Sequence, residues 1–137
     1  MKTLALLLVA GAALVVTAGA IASGSAPAIK YKDDQFGAIL ATPKQQALYY
    51  WSVEKRAGGK VRCTGSCARL WPPLLVKSRA SVRKHVAGIS GTFGVVRRPN
   101  GRLQLTHNGL PVYTYAHEGP RQVLCNNVNG WFVVRLT

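Results

Sequence analysis

Tyr49-x-Trp51-x-x-Glu54 recurs 64 residues later as Tyr113-x-Tyr115-x-x-Glu118. A chain that carries one aromatic–aromatic–acid spacing twice is constrained to build two like units and set them against each other. In an extended strand alternate side chains share a face, so Tyr49 and Trp51 point one way, as do Tyr113 and Tyr115. The acids fall just past the strand ends, where a carboxyl group accepts hydrogen bonds from loop N–H groups or pairs with an arginine. Glu54 and Glu118 are half of the four acids in the chain. The architectural reading is a shared aromatic core with acids pinning the loops that follow. The functional alternative is a cation or ligand site at the junction of the two copies.

The segments around these motifs are β-like. "FGAIL", "ALYYWSV", "TFGVVRR", "GRLQLTH", "LPVYTYA" and "WFVVRLT" are short apolar, aromatic and β-branched runs. Asn100-Gly101 and Asn108-Gly109 separate three of them, and Asn129-Gly130 precedes the last. Asn-Gly between alternating runs is a strong hairpin signal because both residues tolerate positive φ. Helical periodicity is confined to one turn at 66–71, stopped by Pro72-Pro73, and a second short helix at 80–86. The predicted class is all-β, a small antiparallel domain of two related aromatic-motif halves, about 37–76 and 92–137. Residues 23–36, "SGSAPAIKYKDDQF", read as a linker or an extended lead-in.

The N-terminus bears on location. After Met1-Lys2, residues 3–22 carry no charge, and the apolar run ends in small residues that match a cleavage site. Residues 1–22 are therefore expected to be a signal peptide, or, uncleaved, a membrane anchor over residues 4–22. Either way the remaining chain is expected to be extracytoplasmic, as a secreted or cell-envelope protein.

Eighteen Lys and Arg against four acids give a net charge of +14. A field of that size attracts polyanions regardless of their sequence. Outside a cell these are anionic envelope polymers or a membrane surface rather than a specific nucleic acid. The residues singled out are Lys55, Arg56, Lys60 and Arg62 in one loop, and Lys77, Arg79, Arg83 and Lys84 in another.

Cys63, Cys67 and Cys125 are an odd count for an oxidising compartment. Cys63 and Cys67 suit a disulfide if "GSCARLW" forms a helical turn, which would fix the turn that seats Trp71. A metal clip would need a second close pair, and His85, His107 and His117 are single and far apart. A thioredoxin-like dithiol has two intervening residues rather than three.

Together "LYYWSVE", "CTGSCARLWPPLLV", "THNGLPVYTYAHE" and "VNGWFVV" resemble the bacterial secreted-repeat family of predicted lipoproteins with the Yx(FWY)xxD motif. The resemblance spans residues 36–137 and includes Trp71, Pro72, Pro73 and Trp131 as structural positions. It implies export and a repeated β-rich domain, and no particular reaction. Glu54 and Glu118 stand where the family has Asp, and no lipobox cysteine follows the apolar run. Cys125 falls outside the pattern, as a further partner for Cys63 or Cys67.

No nucleophile elbow, phosphate loop or working pair of carboxylates is present, so no enzyme and no cofactor is expected. The leading expectation is a non-enzymatic exported β domain that binds anionic envelope material. The alternative is an extracytoplasmic redox or metal-handling protein using Cys63 and Cys67, with Cys125 and His107 or His117. A third reading is a structural spacer without a ligand.

Overall fold

The computed structural model describes residues 13–15 and 26–137. The expected signal peptide or anchor lies, but for 13–15, outside the described residues. Among them no helix is long and apolar enough to cross a membrane.

The chain is an antiparallel β domain, as expected from the hairpin signals. Its strands are β1 (Ile29–Asp33), β2 (Gly37–Ala41), β3 (Tyr49–Trp51), β4 (Leu75–Val76), β5 (Phe93–Arg97), β6 (Leu103–His107), β7 (Leu110–Pro111) and β8 (Trp131–Val133). Two five-residue helices, α1 (Ser52–Arg56) and α2 (Ser66–Leu70), follow β3 and precede β4. β1 pairs with β2, β3 with β8, and β6 lies between β4 and β5 with β7 also on it. The Asn-Gly signals fall where expected. Arg98–Gly101 turns β5 into β6, closed by the Gly101 N–H on the Arg98 carbonyl. Asn108 and Gly109, at φ 50° and 77°, turn β6 into β7. Asn129 and Gly130, at 50° and 81°, lead into β8.

Three local expectations are corrected. The linker at 23–36 contains β1, whose "IKYKD" alternates half-buried Ile29, Tyr31 and Asp33 with exposed Lys30 and Lys32. That two-residue period outweighs the small, polar composition around it, and the outward lysines keep an edge strand from pairing with other chains. No helix forms at 80–86, where turns and a Val86–Ile89 bridge stand instead. Val82, Val86 and Ile89 pack against the Leu40–Leu105 cluster from this irregular backbone, and that packing overrides a weak helix preference. Finally, Lys55 and Arg56, expected in a loop, sit with Glu54 on α1 just past β3, and the second aromatic motif is no regular strand: it holds one bridge, at Tyr113.

Backbone bonds show that the two halves are structural copies which trade their last strands. In the first, Leu40 N–H donates to the Val134 carbonyl (2.9 Å), Leu48 N–H to Leu40 (3.0 Å) and Val134 N–H to Leu48 (2.8 Å). In the second, Leu105 N–H donates to Leu74 (2.8 Å), Val112 N–H to Leu105 (3.2 Å) and Leu74 N–H to Val112 (3.1 Å). Each three-way exchange takes one strand from the other half: residues 131–136 complete the first sheet, and residues 71–76 complete the second. At the centre Tyr49 and Tyr113 exchange both backbone bonds, at 2.8 and 2.9 Å, the mutual pairing of an antiparallel two-residue bridge.

Two apolar clusters form the core. One holds Leu40, Leu48, Phe93, Leu105, Val112 and Val134. The other gathers Tyr49, Tyr113, Trp71, Trp131, Cys63 and Cys125. Trp71 and Trp131 stack at 4.0 Å and 8°. Each meets the tyrosine of its own half edge-on, Trp71 with Tyr49 at 5.3 Å and Trp131 with Tyr113 at 5.1 Å. Trp51 and Tyr115 extend the stack at its two ends.

Candidate anion-binding surface

The surface begins with what it lacks. Glu54 is fully buried and Glu118 is 6% exposed. Each acid reaches across to the tyrosine of the opposite copy: Tyr113 Oη donates to Glu54 Oε1 and Tyr49 Oη to Glu118 Oε2, both at 2.7 Å. Each also accepts from the loop that follows it. Glu54 Oε1 takes the N–H groups of Arg62 (2.8 Å) and Cys63 (3.1 Å), and Glu118 Oε2 takes that of Leu124 (2.9 Å). The acids therefore pin loops, as the motif spacing predicted, but the tyrosine they bind belongs to the other repeat.

The two sites differ in charge. Beside Glu54, the buried Arg98 donates to the Cys63 carbonyl and to Gln104 Oε1, each at 2.6 Å, and reaches Tyr113 Oη at 3.5 Å. Glu118 has a thiol neighbour instead, the buried free Cys125. Burial pushes the Glu118 carboxyl above the usual carboxylate range, against the opposing bonds from Tyr49 and Leu124. Burial and then the Glu118 charge push the Cys125 thiol up as well. Both tyrosines are held far above their ordinary range, by burial first and by their glutamate partners second, so they remain donors.

With these acids inside, the other two are Asp33, half-buried at the end of β1, and exposed Asp34 in the turn that follows, where Asp33 Oδ1 accepts from the N–H groups of Gln35 and Phe36. Of the 17 described Lys and Arg residues, Arg98 alone is buried and the other 16 are exposed. All eight residues singled out from the sequence, Lys55, Arg56, Lys60, Arg62, Lys77, Arg79, Arg83 and Lys84, are among the exposed ones.

The fold joins two of them to basic side chains that are remote in sequence. Lys77 shares a cleft with Arg97 and Arg102 at the edge of the β4–β6–β5 sheet. Lys55, on α1, shares another with His107 and Arg135. Sequence reasoning missed Arg97, Arg102, His107 and Arg135 as members of such groupings. Arg97 and Arg102 flank an Asn-Gly turn and were findable as a hairpin pair. Arg135 is brought to Lys55 only by the strand exchange.

Cys63 and Cys67 form a disulfide with Cα atoms 5.2 Å apart. They do not share a helix face: Cys63 precedes α2, and Gly65, at φ 58°, turns the chain into it. The Trp71 N–H then bonds to the Cys67 carbonyl at 2.8 Å, which seats the indole beside the bridge. Cys125 is the counterpart of Cys63, since its N–H meets Tyr49 Oη (3.4 Å) in the Glu118 site. Among the described residues no three His, Cys, Asp or Glu side chains are grouped to hold a metal. No family model, curated protein or solved structure matches this chain.

Proposed function

We propose that this is an exported, non-enzymatic β domain of the secreted-repeat type that associates with anionic envelope polymers through its basic surface. One observation carries the reading. The fold buries both motif glutamates and leaves 16 exposed cations facing two acids confined to the end of β1 and the turn that follows. Charge of one sign spread over a small surface raises the local concentration of polyanions and speeds their capture. The disulfide supports an oxidising, extracytoplasmic setting. The membership is supported by the motif copies acting as structural equivalents, tyrosine for tyrosine and acid for acid.

The test is binding to polyphosphate across a salt series. Polyanion capture through released counterions gives a log–log line whose slope falls by roughly one for each contacting cation removed. Replacing Lys55, Arg56, Lys60 and Arg62 by glutamine, or separately Lys77, Arg79, Arg83 and Lys84, should weaken binding and flatten that line. Unchanged low-salt binding in both variants would dispose of the reading.

A further inference from the structure

From the cleft that joins the two halves, we infer a binding site for one anionic repeat unit of the polymer, a sugar carrying a phosphate or carboxylate group. The inference rests on the polyanion reading and narrows it to a place. The cleft has a volume of about 520 Å³, within the roughly 300–1,000 Å³ of pockets that enclose small organic ligands. Its lining draws on Tyr50, Lys55, His107, Asn108, Val134 and Arg135, with no carboxylate among the lining residues.

Its cations, Lys55 and Arg135, and its polar side chains, His107 and Asn108, are held rather than free to wander. The Lys55 ammonium lies 5.6 Å from the centre of the Tyr50 ring, a cation–π position, and Phe132 backs that ring at 5.7 Å. Arg135 Nε donates to the Phe36 carbonyl (3.2 Å), a bond that anchors the guanidinium while its terminal nitrogens stay outside it. His107 Nε2 is fixed on the Ser90 carbonyl at 2.9 Å. Asn108 Oδ1 accepts from the Thr92 N–H (2.9 Å), which leaves the amide NH2 as a donor. Preorganised donors lose less entropy on binding, which favours a defined ligand over diffuse attraction. Val134 and the Tyr50 ring add apolar wall, so the cleft suits an anion carried on an organic body better than a bare ion.

The test titrates the protein with glucose 6-phosphate, glucuronate, glucose and inorganic phosphate, followed by calorimetry and by the ring resonances of Tyr50 and His107. At least one charged sugar should bind tighter than glucose and than inorganic phosphate, and which one does so identifies the anionic group. Lys55→Gln with Arg135→Gln should weaken that binding by roughly tenfold or more. Lys44→Gln with Arg69→Gln removes equal exposed charge outside the cleft and should leave it unchanged. Equal losses in the two variants, or inorganic phosphate binding as well as the sugars, would overturn the site while polyphosphate binding still stood. If no probe binds but polyphosphate does, the site alone fails. If polyphosphate binding is also absent, the broader reading falls with it.

Discussion

Tyr49, Tyr113, Glu54 and Glu118 form a crossed pair of hydrogen bonds in which each hydroxyl belongs to one copy and each acid to the other. Removing one hydroxyl takes a donor from a buried carboxyl group and leaves it only backbone N–H partners, so Tyr49→Phe and Tyr113→Phe should each cost about 1–3 kcal/mol in urea unfolding. The acids also set a pH dependence. Glu118 holds its proton to higher pH in the folded chain than in the unfolded one. Over the window from the ordinary carboxylate range up to that raised value, the unfolded chain carries fewer protons, so stability falls as pH rises. Wild type should therefore lose stability across that window relative to Glu118→Gln, which cannot titrate there. Parallel urea midpoints at all pH values would show that Glu118 is not shifted. The motif made the acids visible, since a carboxyl just beyond an aromatic strand needs donors. Which tyrosine supplies one was not legible, because it depends on how the copies meet.

At the scale of elements, β1 and the segment at 80–86 show the limits of local signals. Alternation in "IKYKD" marked a strand that composition obscured, whereas "SVRKHVA" has helix-compatible residues but packs Val82 and Val86 on the core from an irregular backbone. Helix α2 was legible because Pro72-Pro73 bounds it. Closing so small a loop should contribute about 2 kcal/mol, so reduction of Cys63–Cys67 is expected to lower the melting temperature without unfolding the sheets. A fully unfolded reduced protein in circular dichroism would mean that the bridge holds far more than the Trp71 turn. Gly59→Ala should be costlier than an ordinary glycine change, since φ is +85° there and the Gly109 carbonyl occupies the space. A melting temperature equal to wild type would contradict that close approach.

At the scale of the whole molecule, residues 71–76 and 131–136 cross between halves, so neither half has a complete sheet of its own. The connection at 77–92 carries no strand or helix. Cutting it should therefore leave the two pieces bound as a folded complex by native mass spectrometry, while either piece expressed alone should be unfolded or should pair with its own copy. Separation of the cut pieces under native conditions would refute the exchange. The sequence by itself determined the repeat, the antiparallel class, the turn positions, the cysteine staple and the excess of positive charge. Each follows from residue type at short spacing: period-two alternation, positive-φ Asn-Gly pairs, a four-residue cysteine gap and a count of charges. Only the tertiary structure decided that the halves trade strands, that both glutamates leave the surface, and that Lys55 meets Arg135. Those contacts join residues about 30 to 95 positions apart, and their partners are chosen by which complementary faces can bury together, not by any local preference of the chain.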